Sequence, residues 1–222
     1  MIIFNTFNTG KRKFKVRETD NLIWAALLIK YKEFGYTTKL YCLESDIDFL
    51  KKYHLYELYD IIDTDFLKDN KQLQLVNEDI FWSSRKIEAM YHELFELNED
   101  AVYSDTDLII REPLNLTHDV LVWSPEPRLK NTIYLDWEHF SLPKNYALPE
   151  YIKNCEDAFN CGIWHFKNKD IFKKYRDEYY KFVIGNPGKL LGELSEDIEA
   201  KLSNNNIFPC NAEQRILKAV CL

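Results

Sequence analysis

The chain is poor in the features that mark several large classes of protein. It has no run near the roughly 20 apolar residues that a membrane span needs. Its start, MIIFNTF, lacks the basic region and long apolar core of a signal peptide. Its five cysteines, Cys42, Cys155, Cys161, Cys210 and Cys221, are scattered without a CxxC pair. That excludes a zinc ribbon and predicts reduced thiols in a cytoplasmic setting. Positive charge is also short: 29 Lys and Arg face 36 Asp and Glu, a formal net charge of −7. A free-standing nucleic-acid binder needs the opposite balance. No GxxxxGK[ST] loop is present, which removes the Walker-type nucleotide enzymes. No internal repeat occurs, and Asn204 to Asn206 is the only low-complexity patch. The Asn115-Leu116-Thr117 sequon is of a length that chance supplies.

What the chain does have is core material. In 222 residues, 46% are hydrophobic and 15% aromatic. A chain of this length buries roughly 70% of its extended surface, so it needs no staple to fold. Met1 to Phe7 reads as a buried strand, followed by a loop over Asn8 to Lys13. Asp20 caps a helix whose stripe is Leu22, Trp24, Ala25, Leu28 and Ile29, and Gly35 stops it. Thr38 to Leu43 and Tyr59 to Ile62 read as strands around a short helix over Ser45 to Tyr53. A helix is predicted over Asp79 to Leu97, a strand over Ala101 to Ser104, and strand-like segments over Leu108 to Ile110 and Asp119 to Trp123. Pro125 to Pro149 has no clean period and reads as a long excursion; Ala158 to Phe166 is a late strand. Helices follow over Lys169 to Val183, Leu190 to Leu202 and Asn211 to Val220. The β-α-β-α-β opening predicts an α/β fold: one Rossmann-like domain with a mostly parallel sheet, helices on its faces and ligand loops at the carboxyl ends of its strands.

Tyr103-Ser104-Asp105-Thr106-Asp107 is the sharpest local feature. Residues two apart in extended backbone point the same way, so the two carboxylates converge where the strand ends. Paired oxygen donors suit Mg²⁺ or Mn²⁺, which keep positions for water and for a substrate phosphate. The bland competitor is a solvated turn. Arg85 and Lys86 lie near a helix start, where positive charge is unfavourable unless an anion arrives to receive it, and Lys86 is the preferred of the two. Trp82 offers a face for a sugar or base, with core packing as the even alternative.

These segments, in this order, resemble the metal-dependent glycosyltransferases of the GT-A fold, in the glycogenin-like and galactosyltransferase-like families. The Asp-x-Asp follows an apolar strand. Phe81-Trp82-Ser83-Ser84-Arg85-Lys86 is similar to the basic helix start that faces the donor phosphates. Phe159-Asn160-Cys161-Gly162-Ile163 is similar to the Phe-Asn-small-Gly segment, and Glu213-Gln214 to the acidic-Gln pair that opens a later helix. The resemblance implies a hexose donor linked to a nucleoside diphosphate, UDP by preference, and an acceptor hydroxyl on a glycan, lipid or protein. Asp105 and Asp107 would hold Mn²⁺ or Mg²⁺, with Thr106 between them at the donor site. Lys86, with Arg85, would offset the leaving charge. Asn5, Thr6 and Phe7 would lie by the base and ribose, and Asn160, Gly162, Glu213 and Gln214 by the sugar. Asp107, Gln214 and Lys86 are the implied catalytic set, and retention is the implied outcome at the anomeric carbon.

Residues 1–110 are expected to form the nucleotide-binding half and 111–222 the acceptor half, with Asp136, Trp137, Glu138 and His139 as acceptor candidates. His165, between Trp164 and Phe166, reads as structural. The resembling families carry a further metal-ligating histidine well beyond the acidic-Gln helix, and here the sequence stops at Leu222. Either the chain is C-terminally truncated or a compact variant closes the site with other groups. Two other readings stay open: a non-catalytic sugar- or partner-binding module on the same frame, and a nucleotidyltransferase. The second is opposed by the lack of a Gly-rich basic signature near the N-terminus. A phosphatase is weaker still, because its aspartates follow the first strand.

Overall fold

The computed structural model describes residues 1–7, 18–126, 134–192 and 207–222. A six-stranded sheet runs through them in the order β3-β2-β1-β4-β6-β5. β1 (Ile2–Thr6) leads to α1 (Glu18–Glu33) and β2 (Thr37–Tyr41). α2 (Ile47–Lys52), β3 (Ile61–Asp63), α3 (Phe66–Asp69) and α4 (Ser84–Tyr91) follow. Next come β4 (Ala101–Ser104), β5 (Val120–Glu126), α5 (Glu150–Lys153), β6 (Ala158–Phe166) and α6 (Lys169–Val183). β1 pairs in parallel with β2 and β4, and β2 with β3; β4 pairs antiparallel with β6. The fold is therefore α/β with a mostly parallel sheet, as the alternation predicts.

Several boundaries differ from the periodicity for local reasons. Asp20 lies inside the first turn of α1 rather than capping it. Gly35, at φ +77°, ends that helix as expected: Tyr36 N–H donates to the Tyr31 carbonyl at 3.0 Å, a closure that requires a left-handed residue. The stripe from Asp79 to Leu97 is not one helix. Its first residues form turns, α4 starts at Ser84, and a π-helical turn over His92–Glu96 ends the segment. Leu108 to Ile110 is irregular rather than a strand. The helix expected over Asn211 to Val220 begins earlier, as Ile207–Cys210, Asn211–Arg215 and Ile216–Cys221 in succession. Most of the one expected over Leu190 to Leu202, and the loop over Asn8 to Lys13, lie outside the described residues.

The chain divides into two compact units that interleave in sequence. The first comprises Met1–Leu73, Arg85–Leu121 and Gly162–Lys167; the second comprises Gln74–Ser84, Val122–Cys161 and Asn168–Leu222. The first unit's core is Trp24, Leu27, Leu28 and Tyr31 of α1 against Ile3, Leu40 and Val102 of the strands. β1, β2 and β4 are buried along most of their length, and β1 and β4 accordingly open on apolar runs, Ile2-Ile3-Phe4 and Ala101-Val102-Tyr103, rather than alternating. The second unit packs around rings: Phe81, Phe140, Phe182 and Phe208 meet edge to face, with Trp137 alongside. Gly188, at φ +63°, lies so near Ile80 that a Cβ would come within 2.4 Å of its side chain. All five cysteines are free, and among the described residues no helix is long and apolar enough to cross a membrane.

Candidate functional site

In the first unit, a polar chain threads the apolar core to the carboxyl ends of β1 and β4. Trp24 Nε1–H donates to Tyr59 Oη at 2.7 Å, and Tyr59 donates to Asn5 Oδ1 at 2.6 Å. Asn5 Nδ2–H donates to the Ser104 carbonyl at 2.6 Å, and Tyr31 donates to Ser104 Oγ at 2.6 Å. Burial pushes the Tyr31 phenol up to about 12, so it stays a donor throughout the neutral range. These bonds tie the last residues of β1 and β4 together. The side chain of Asn5 is thus fully buried and spent on bracing the strand ends. Thr6 is half-buried, and Phe7 packs on Trp24 at 4.9 Å and on Phe49 at 5.1 Å.

Past Ser104 the chain leaves the ladder in a bend, so Asp105, Thr106 and Asp107 are not in extended register. The period-two argument for convergence ends with the strand. What holds Asp105 is a set of specific bonds. Its amide donates to the Gly162 carbonyl at 2.7 Å, which continues the β4–β6 pairing and gives Gly162 a backbone role. Lys86 Nζ meets Asp105 Oδ1 at 2.9 Å, and Tyr103 donates its phenol hydrogen to the same oxygen. Lys86 is only 4% exposed and also lies 4.9 Å from the Tyr103 ring centroid. A buried ammonium persists only when paired, and Asp105, with its side chain 33% exposed, is the partner that keeps one side open to solvent. Both contacts fall on Oδ1. Asp107 feels the same crowding of charge: partial burial, then the neighbouring Asp105, raise its carboxyl above the usual range, with Asp20 adding to the rise and Lys86 opposing it. A carboxylate whose ionisation is disfavoured, beside an Asp105 that is paired through Oδ1 and partly open to solvent, fits a hard divalent cation.

The second unit holds a polar cluster that sequence reading found only in part. Asn160 Nδ2–H donates to Glu126 Oε1 at 2.8 Å. The Tyr134 phenol contacts both Glu126 Oε2 and the side-chain amide of Gln214. One phenol hydrogen serves one acceptor. It belongs on the carboxylate, and the Gln214 amide then turns its N–H to the phenol oxygen. Burial, then the Glu126 bond, raise the Tyr134 phenol far above its ordinary value. Asn160 and Gln214, predicted from the sequence, are therefore brought together, and Glu126 and Tyr134 are the residues the sequence reading missed. Glu126 ends β5, three residues beyond the strand-like segment read from the sequence, which stops at Trp123; nothing local marks Tyr134.

Glu213 is 1% exposed, behind the surface rather than on it. Arg215, two residues on, anchors the segment: Nη1 donates to the Leu135 carbonyl at 2.5 Å and to Asn211 Oδ1 at 3.1 Å, and Nη2 to the Cys155 carbonyl at 3.0 Å. Its guanidinium lies 4.2 Å from the Trp137 ring centroid. Trp137 is consequently core, and its Nε1–H donates to the Ile152 carbonyl at 3.0 Å. Asp136 and Glu138 are exposed, and with His139 their ligand atoms lie within 4.8 Å of one another. Trp82 is half-buried in the turn before α4, whose start is pinned by Ser83 and Ser84 on the Tyr179 hydroxyl at 3.0 and 2.9 Å; Arg85 follows in the first turn. His165 pairs through Nε2 with Asp100 at 2.7 Å, before β4 and away from its carboxyl end.

No known protein family matches the chain, and no curated protein does. Among solved structures it is similar to one described as PaToxG Glycosyltransferase, with a TM-score of 0.43 and 15% identity over 99% of this chain and 68% of that one.

Proposed function

We propose that the chain is a metal-dependent glycosyltransferase that moves a hexose from a nucleoside-diphosphate sugar, UDP being the nucleotide, to a hydroxyl of a glycan, lipid or protein. The observation that carries this reading is the buried Lys86 ammonium on Asp105, with Asp107 beside it, past the carboxyl end of a central parallel strand. Asp105, through Oδ2, and Asp107 would hold Mn²⁺ or Mg²⁺. That ion supplies Lewis-acid stabilisation to a departing diphosphate. Lys86 adds a preorganised cation that exchanges Asp105 for phosphate as negative charge develops, a contribution of about 3 kcal/mol by analogy with single oxyanion donors. Phe7 offers an aromatic face for the base. Glu126, Asn160 and Gln214 provide a carboxylate and two amides, the donor and acceptor mixture that sugar hydroxyls require.

The test is release of free sugar from a panel of nucleotide sugars with and without Mn²⁺. The reading expects slow hydrolysis of at least one UDP-sugar, dependent on the metal and lost in Asp107→Ala. Silence across the panel from a folded sample, together with metal-independent binding of a sugar or protein partner, would favour a non-catalytic module.

A further inference from the structure

α1 buries one apolar face and leaves a second one bare. Trp24, Leu27, Leu28 and Tyr31 turn into the first unit's core. On the outer side Leu22 is 70% exposed and Ile29 48%, with exposed Ala26 between them. Leu22 and Ile29 lie two turns apart on the same face. Between Thr19 and Lys32 these three are the exposed residues of the helix, so no charge interrupts the outer stripe. A surface helix ordinarily presents charge to water, and one that is apolar on all sides is covered.

The charges that flank the stripe indicate its cover. Glu18 and Asp20 occupy the first turn of α1, and Lys30 and Lys32 the last. Lys30 meets Glu33 at 2.7 Å and Lys32 meets Asp60 at 2.8 Å, and all four side chains are more than a third exposed, so these bonds are weak and readily shared. A second α1 laid antiparallel brings the acidic start of each helix beside the basic end of the other and aligns the two helix dipoles favourably. Leu22 then meets Ile29 of the second copy, and the small Ala26 side chains lie near the crossing, where they let the backbones approach. An anionic lipid surface fits less well, because Glu18 borders the stripe as closely as Lys32 does and the chain carries a net charge of −7.

We propose that α1 is the seam of a two-fold symmetric homodimer, in which two copies pack antiparallel through Leu22, Ala26 and Ile29, and Glu18 of each copy pairs with Lys32 of the other. The contact is isologous, so it closes at two copies and forms no fibre. One helix pair is smaller than a standard interface, which sets the dissociation constant at about 10 to 100 µM. The pairing is independent of the transferase reading, since it uses neither the Asp105 carboxylate nor the Glu126 cluster.

Sedimentation equilibrium of the full chain over a concentration series tests this. The unmodified protein should pass from monomer to dimer and go no further. Leu22→Glu, at an exposed position, should raise the dissociation constant by about a hundredfold while leaving the melting temperature of dilute protein unchanged. Ile29→Ser should act in the same direction, which keeps the test open if Leu22→Glu fails to fold. Glu18→Lys and Lys32→Glu should each weaken the dimer by about tenfold, and an equimolar mixture of the two should restore it, because each reversed charge then faces its opposite. A monomer at every concentration up to about 1 mM, or a dimer indifferent to both apolar substitutions, overturns the assignment. A dimer that the apolar substitutions abolish but that neither charge reversal weakens overturns the antiparallel order.

Discussion

The two units handle polar groups in opposite ways. In the first, charge gathers at a strand end and is incompletely answered: Lys86 answers one oxygen of Asp105, while Asp107 keeps a raised proton affinity. In the second, Glu126, Tyr134, Asn160 and Gln214 satisfy one another, and Arg215 is consumed by backbone carbonyls and Asn211. An unanswered charge is a site for a counter-ion; a self-satisfied polar cluster is a surface already shaped, which can exchange its internal bonds for a ligand's hydroxyls. On the reading proposed above, phosphate and metal chemistry would fall to the first unit and shape recognition to the second.

Arg215→Met should have the largest effect on folding. It leaves the Leu135 and Cys155 carbonyls without their donor and removes the cation from the Trp137 face, a loss of about 4 kcal/mol that urea denaturation will report. A loss below about 1 kcal/mol would show that the second unit is not held from within. Lys86→Met should act on turnover more than on stability: about a hundredfold lower kcat, close to 3 kcal/mol, with a modest fall in melting temperature because Asp105 retains Tyr103 and solvent. If stability collapsed and turnover per folded molecule held, Lys86 would be a structural cation and the contrast between the units would fade.

The smallest effect is one of pH. Asp107 binds its proton more tightly in the folded chain than the usual carboxylate does, so the native state holds extra proton between the unfolded and folded values. Stability is therefore fullest below the ordinary carboxylate value and declines as pH rises through that window. Asp107→Asn should flatten this slope and slightly raise the melting temperature at neutral pH; an unchanged slope would mean that Asp107 is not under strain from Asp105.

Much of this was legible in the sequence, and the failures share a cause. β6 and α6 match their expected bounds because an apolar run and a clean 3.6 period are local signals, and Asn168 caps α6 by accepting Asp170 N–H at 3.1 Å. The Asp-x-Asp was legible as a motif, but its geometry was not, since the bend after Ser104 is set by pairing with Gly162 and Lys86. The bracing role of the Asn5 side chain has no local signal, because Tyr59 and Ser104 reach it from 54 and 99 residues away. Tyr134 was invisible for the same reason: its partner Gln214 lies 80 residues on. Trp137 sat in a segment without periodicity, and Phe140, Phe182 and Arg215 make it core.

On the proposed reading, Asp105 and Asp107 form a place for a divalent ion that carries a nucleotide. Titration of UDP into the chain by calorimetry, with Mn²⁺ and with chelator, measures this most directly. Binding that requires Mn²⁺ and disappears in Asp107→Ala is the predicted result. UDP binding of equal strength with and without the metal, or untouched by the substitution, would contradict it.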